Sequence, residues 1–112
     1  MELRDIRDLQ ASFDARHASD VPWDTSVSET NVRFLEHLVV CLVGEVGEFA
    51  NLVKKIVRGD VSYPEVVPRL SEEITDAFIY LIKICNQMGV DLECTYLERL
   101  AVNEERFKKF RR

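Results

Sequence analysis

The stretch from Leu38 to Val57 constrains this chain more than any other. Its apolar residues, Leu38, Val39, Val40, Leu42, Val43, Val46, Phe49, Leu52, Val53, Ile56 and Val57, fall on nearly every side of a helix. Such a helix is buried on most of its surface, and a chain of 112 residues has few other elements to cover it. The expectation is a helix packed against a partner subunit as well as its own chain. Gly44 and Gly47 point the same way. Each costs about 1 kcal/mol against Ala in a helix interior, a loss that close approach of another backbone would offset.

The remaining elements also read as helices, and no strand pattern is convincing. A first helix spans roughly Glu2 to His17, with Leu3, Ile6, Leu9 and Phe13 at spacings of three and four. A polar loop follows from Ala18 to Ser26. Ser28-Glu29 marks the N-cap region of the second helix, which runs to about Arg58 and stops at Gly59-Asp60. Pro64 and Pro68 bracket a short connector. Ser71 is one cap for the third helix; an earlier start, with a proline in its first turn, is the other reading. Gly89 ends that helix, and Asp91 caps a fourth that runs into the basic end Lys108–Arg112. The fold class is all-α: a single domain over residues 1–112, a bundle of about four helices built on two long antiparallel ones.

Charge and cysteine usage narrow the function. A net charge of −5 argues against a nucleic-acid polymer or an anionic membrane as partner, since both call for a basic patch. Cys41, Cys85 and Cys94 show no CxxC or Cys/His ligand spacing, so zinc is not expected and free thiols in a reducing, cytoplasmic compartment are. Cys41 and Cys85 sit in apolar runs and read as small core residues. The longest unbroken apolar run, Leu38–Val43, is far short of the roughly 20 residues of a membrane span. The start, Met1-Glu2-Leu3-Arg4-Asp5, carries no signal-peptide pattern.

Chemistry is carried by two carboxylate doublets, Glu45-Val46-Gly47-Glu48 and Glu73-Ile74-Thr75-Asp76. A spacing of three puts both acids of each doublet on one helical face. Projected at about 100° per residue, Cys41, Glu45, Glu48, Leu52 and Lys55 share a stripe, and so do Arg69, Glu73, Asp76, Tyr80 and Lys83. Antiparallel packing would gather the four acids, with a lysine beside each doublet. Clustered carboxylates repel unless they are paired or bound to cations, and oxygen ligands suit Mg²⁺ or Mn²⁺. The doublets are unequal. Glu45 and Glu48 lie on a helix with little other polar surface, so metal or an ion pair to Lys54, Lys55 or Arg58 must satisfy them. A solvated face alone explains Glu73 and Asp76 equally well. A di-iron bundle is set aside, because no His follows Glu45, Glu48 or Glu73 at Glu-x-x-His spacing.

Gly44-Glu45-Val46-Gly47-Glu48-Phe49-Ala50, followed by Glu72-Glu73-Ile74-Thr75-Asp76-Ala77-Phe78-Ile79-Tyr80-Leu81, resembles the ExxE…ExxD signature of the all-α nucleoside triphosphate pyrophosphohydrolases. This MazG-like superfamily includes dimeric dUTPases, dCTP pyrophosphatases and phosphoribosyl-ATP pyrophosphohydrolases. Gly89-Val90-Asp91-Leu92 and Asn103-Glu104-Glu105-Arg106-Phe107 extend the likeness over about residues 30–110.

The resemblance implies Mg²⁺-dependent cleavage of a (deoxy)nucleoside triphosphate between its α and β phosphates, giving the monophosphate and pyrophosphate, in a homodimer or dimer of dimers. It assigns Glu45, Glu48, Glu73 and Asp76 to metal, with one acid of the first doublet helping to activate water. Lys55, Asn103 and Arg106 are assigned to phosphate or sugar. Lys55 is preferred to Lys54 because it projects beside Glu48. Trp23 is a candidate for stacking on the base, with core packing as its alternative. His37, near the acid stripe, reads as a core or interface histidine, and Phe78 and Tyr80 as packing. Hydrolysis of phosphoribosyl-ATP and a non-catalytic helical regulatory module are the competing functions.

Overall fold

Helix boundaries in the computed structural model, which describes residues 1–17 and 24–112, follow local capping chemistry. Helix α1 (Leu3–Arg16) opens on a capping box, in which the Glu2 backbone N–H donates to Asp5 Oδ2 at 2.7 Å. Helix α2 (Val32–Arg58) begins later than Ser28 suggests. Asn31 Oδ1 accepts from the Ser28 N–H at 2.6 Å, which closes a turn ahead of the helix and makes Asn31 the cap.

The start of helix α3 (Tyr63–Met88) settles the alternative left open at Ser71. The Ser62 N–H donates to Glu65 Oε1 at 2.9 Å in a second capping box, and Pro64 occupies the first turn, where its missing N–H costs nothing. Pro68 lies inside the helix rather than in a connector, and Ser71 donates to the Val67 carbonyl at 2.9 Å instead of capping. Helix α4 (Leu92–Arg106) is capped by Asp91, which accepts from the Cys94 N–H at 3.2 Å, and a 3₁₀ turn, Lys108–Phe110, follows it.

Gly59 and Gly89 close α2 and α3 in left-handed conformations, with φ of 83° and 68°. After Gly59 the Asp60 N–H reaches back to the Lys55 carbonyl at 2.9 Å, and after Gly89 the Val90 N–H reaches Cys85 at 2.9 Å. The first of these turns folds the chain sharply, so α2 and α3 run back along each other. Leu38 and Leu52 on α2, with Leu70, Ala77 and Ile82 on α3, form the buried apolar core of the packed helix pair.

Helix α1 lies across α3. Lys83 Nζ pairs with Asp14 Oδ1 at 3.2 Å in a buried contact, and Gln10 Nε2 donates to the same oxygen at 2.9 Å. Asn86 Nδ2 donates to the Arg7 carbonyl at 3.1 Å. Helix α4 behaves differently. It is tethered to α1 near its start, where the Arg4 N–H donates to Glu93 Oε1 at 2.7 Å, and beyond that it packs appreciably only on its own 3₁₀ turn. Among the described residues the chain is all-α with four helices, as expected, and has no strand. Within one chain, however, α4 does not close the bundle.

The expectation that α2 is covered on most sides also fails within a single chain. Only the stripe facing α3 is buried. Val43 is 63% exposed and Val57 81%, and a Cβ added at Gly44 or Gly47 would meet nothing within 4 Å. No described helix is long and apolar enough to cross a membrane.

Candidate metal centre

The α2–α3 turn sets the register of the acids. Glu48 stands as far before Gly59 as Glu73 stands after Ser62, and Glu45 and Asp76 are matched in the same way. Folding the hairpin therefore faces Glu48 with Glu73 and Glu45 with Asp76. Glu45, Glu73 and Asp76 each offer a carboxylate oxygen, and these three oxygens lie within 4.8 Å of one another. Glu48 is outside that trio but against it, because its carboxyl hydrogen-bonds with that of Glu73.

Burial reverses the weighting drawn from helical projection. Glu73 is the most enclosed of the four at 8% exposure, Glu45 is half-buried, and Glu48 and Asp76 are exposed. The solvated-face account of the second doublet therefore fails for Glu73. Its side of α3 packs onto α2, and the open side of α2 is the apolar one.

Three carboxylates this close cannot all be charged at no cost. At an effective dielectric of about 20, two unit charges separated by that distance repel by on the order of 3 kcal/mol. A shared proton or a cation relieves the repulsion. At the edge of the trio, Glu48 favours its protonated form, its acid held above the ordinary carboxylate range. The hydrogen bond to Glu73 is the main cause, followed by the charge of Glu73 and by burial; Arg69 partly offsets the effect. The Arg69 guanidinium stands 3.9 Å from Glu73 Oε1, one turn away on α3. An all-oxygen donor set open on one side fits a hard divalent cation that keeps part of its water shell.

Two neighbours escaped the sequence reading. Tyr80, read as packing, is hydrogen-bonded to Cys41. Burial, then Cys41, Glu45 and Asp76, pushes its hydroxyl above its ordinary range. Arg69 enters the sequence pattern only as a member of a stripe. The signal for both was present, since each shares the Glu73–Asp76 face of α3.

The other sequence candidates are not gathered here. Lys83, expected beside the second doublet, is drawn across to Asp14. Lys55 is half-buried two turns beyond Glu48 and makes no ion pair with it. Asn103 and Arg106 lie on α4, away from the hairpin's packing, and Arg106 sits 5.0 Å over the Phe107 ring. Trp23 lies outside the described residues. His37 is exposed rather than in the core of this chain, with Nε2 3.8 Å from Cys41 Sγ. Cys41 and Cys85 are half-buried rather than fully enclosed.

A long antiparallel helix pair with a carboxylate cluster at its seam defines the molecule as an all-helical protein whose clustered acids offer oxygen ligands to a cation. The chain is 33% identical over 109 residues to human dCTP pyrophosphatase 1, 31% over 111 residues to the rat protein of that name, and 32% over 109 residues to the cattle one. Each match takes in 94% of this chain and 58–59% of the relative, so the chain spans about three fifths of the length of the curated relatives it matches. The chain is thus related to the dCTP pyrophosphatase 1 proteins, consistent with the resemblance to the MazG-like superfamily. No family model and no solved structure matches it.

Proposed function

We propose that this protein is a divalent-cation-dependent nucleotide pyrophosphohydrolase, which cleaves a (deoxy)nucleoside triphosphate to the monophosphate and pyrophosphate. The observation that supports this most is the meeting of Glu45, Glu73 and Asp76 across the α2–α3 seam, with Glu48 hydrogen-bonded at its edge. The relatives named dCTP pyrophosphatase make dCTP the first substrate to assay.

In this reading Glu45, Glu73 and Asp76 hold Mg²⁺, or Mn²⁺ in its place. Bound there, the cation neutralises phosphate charge and makes water a better nucleophile. Glu48 accepts the proton of the attacking water. It is exposed, it stands next to the cluster, and its raised proton affinity suits that role better than an ordinary carboxylate would. Tyr80 orients Cys41 and the Glu45–Asp76 edge through its hydroxyl. Arg69 balances the charge of Glu73 and lies within reach of a phosphate.

The chain offers the substrate little enclosure by itself. An open hollow of about 460 Å³ beside the acids is walled by Ser71, Glu72, Thr75 and Asp76, all from α3. A second copy is the proposed source of the missing wall, and its Asn103, Arg106 and Lys55 the proposed contacts to sugar and phosphate.

Purified protein incubated with Mg²⁺ and a panel of triphosphates that includes dCTP and phosphoribosyl-ATP should release pyrophosphate, not orthophosphate, from at least one of them. Glu45→Gln and Asp76→Asn should each lower that rate by two orders of magnitude or more, with helicity by circular dichroism unchanged. A panel without product, together with no thermal stabilisation by Mg²⁺, would leave the non-catalytic module as the reading.

A further inference from the structure

We propose that His37 and Cys41 form a second metal site, for a thiophilic divalent cation of the zinc type, set one helical turn from the acid cluster. The two residues lie four apart on α2, so their side chains rise from the same flank on successive turns. His37 Nε2 stands 3.8 Å from Cys41 Sγ. A tetrahedral cation bonded to nitrogen at about 2.0 Å and to sulfur at about 2.3 Å holds those two atoms roughly 3.6 Å apart. The pair already sits within a few tenths of an ångström of chelating geometry.

The approach is open, since His37 is exposed and Cys41 half-buried. Zinc is not expected from CxxC or zinc-finger spacings, but one helical turn brings His37 and Cys41, four residues apart, together. Glu45 is the next residue along the flank, one turn beyond Cys41. The Tyr80 hydroxyl, hydrogen-bonded to Cys41 and close to the charges of Glu45 and Asp76, ties the thiol to the edge of the acid cluster.

Ligand softness separates the two sites. Thiolate and imidazole favour Zn²⁺, whereas an all-carboxylate set suits Mg²⁺ or Mn²⁺. A zinc-type ion on His37 and Cys41 takes these two protein ligands, and water fills the remaining positions, while Glu45 stays grouped with Glu73 and Asp76. Binding at this pair does not depend on the proposed hydrolase activity.

Cobalt(II) is the probe. It is titrated into protein kept reduced by a non-thiol reductant, under a large excess of Mg²⁺ that saturates the acid cluster. The unaltered protein should show a thiolate-to-cobalt charge-transfer band saturating at one equivalent per chain and bleached by Zn²⁺. Cys41→Ser should abolish the band and His37→Gln should weaken binding about tenfold or more, while Cys94→Ser leaves both intact. A missing band in the unaltered protein, or a band that survives in Cys41→Ser, overturns the proposal.

To cover a Cys41→Ser chain that does not fold, the unaltered protein is alkylated with and without Zn²⁺, and modification is mapped by peptide mass. Selective protection of Cys41 over the exposed Cys94 supports the site, and equal rates refute it. Neither readout involves turnover, so a chain that binds cobalt without hydrolysing nucleotides, or the reverse, separates the two readings.

Discussion

A carboxylate that shares a hydrogen bond with another carboxylate keeps its proton to higher pH than one in water, and Glu48 against Glu73 is such a group. Its consequence for stability has a definite sign. With the folded-state pKa raised, the native chain binds more protons than the unfolded one between the ordinary carboxylate range and the raised value. Stability contributed by this contact is therefore present at mildly acid pH and lost as pH rises towards neutrality. A divalent cation replaces the proton. Stabilisation by Mg²⁺, read as the difference in melting temperature with and without EDTA, should thus be larger at neutral pH than near pH 5. Glu48→Gln should flatten that difference. Equal stabilisation at both pH values would show that Mg²⁺ binds elsewhere. Asp14 and Lys83 present the opposite case at the same scale. They are oppositely charged, both buried, and 3.2 Å apart. Asp14→Ala removes the carboxylate paired with a buried lysine, and urea unfolding should show a loss of about 3 kcal/mol. A loss under 1 kcal/mol would mean that water reaches Lys83 once its partner is removed.

Among the elements, the α2–α3 hairpin does most to build the site, and its register depends on where two helices stop and start. Gly59 takes a φ of 83°, which costs other L-residues roughly 1–2 kcal/mol. Gly59→Ala should therefore lower unfolding stability by about 1 kcal/mol, with Gly59→Asn milder. Equal effects of the two would point to a relaxed turn. The all-α class, four helices and the facing of the two doublets were legible in the sequence, because apolar period and i,i+3 spacing are properties of one helix at a time. The start of α3 was less so. Pro64 and Pro68 look like breakers, yet Pro64 falls in the first turn, and Ser62 with Glu65 forms the capping box that Ser71 seemed to offer. Which acid is buried was also out of reach. Projection gives angles within a helix but not the side that faces its neighbour, so a solvated face stayed open for Glu73, and Glu48 had the stronger case for enclosure. Tyr80 and Arg69 share the Glu73–Asp76 face in projection, but what they touch depends on what lies across the seam and one turn away.

At the scale of the whole molecule, a single chain is poorly closed. A compact domain of this length has a radius of gyration of about 13 Å, and the observed value is 17.2 Å. The excess matches two features of the surface. Helix α4 stands off the hairpin with Tyr96, Leu97 and Leu100 uncovered, and α2 leaves Val39, Val43, Val46, Val53 and Val57 exposed beside two glycines that touch nothing. An apolar face of this kind is covered in a stable assembly, and small residues on it let a second backbone approach closely. The acid cluster stands on the hairpin's seam, while Asn103 and Arg106 stand on the helix that leaves it. We propose that a homo-oligomer meets these conditions, with copies covering each other's valine faces and α4 from one chain bordering the acids of another. Light scattering should report a dimer or tetramer. The double substitution Val43→Lys and Val46→Lys, placed opposite the acids on α2, should dissociate it to monomers and abolish pyrophosphate release while the helical circular dichroism signal remains. Mixing that variant with Glu45→Gln chains should restore no activity, because the first cannot associate and the second lacks a metal ligand. A monomeric unaltered protein with full turnover would mean that one chain completes the site alone, with α4 folding back over its own hairpin.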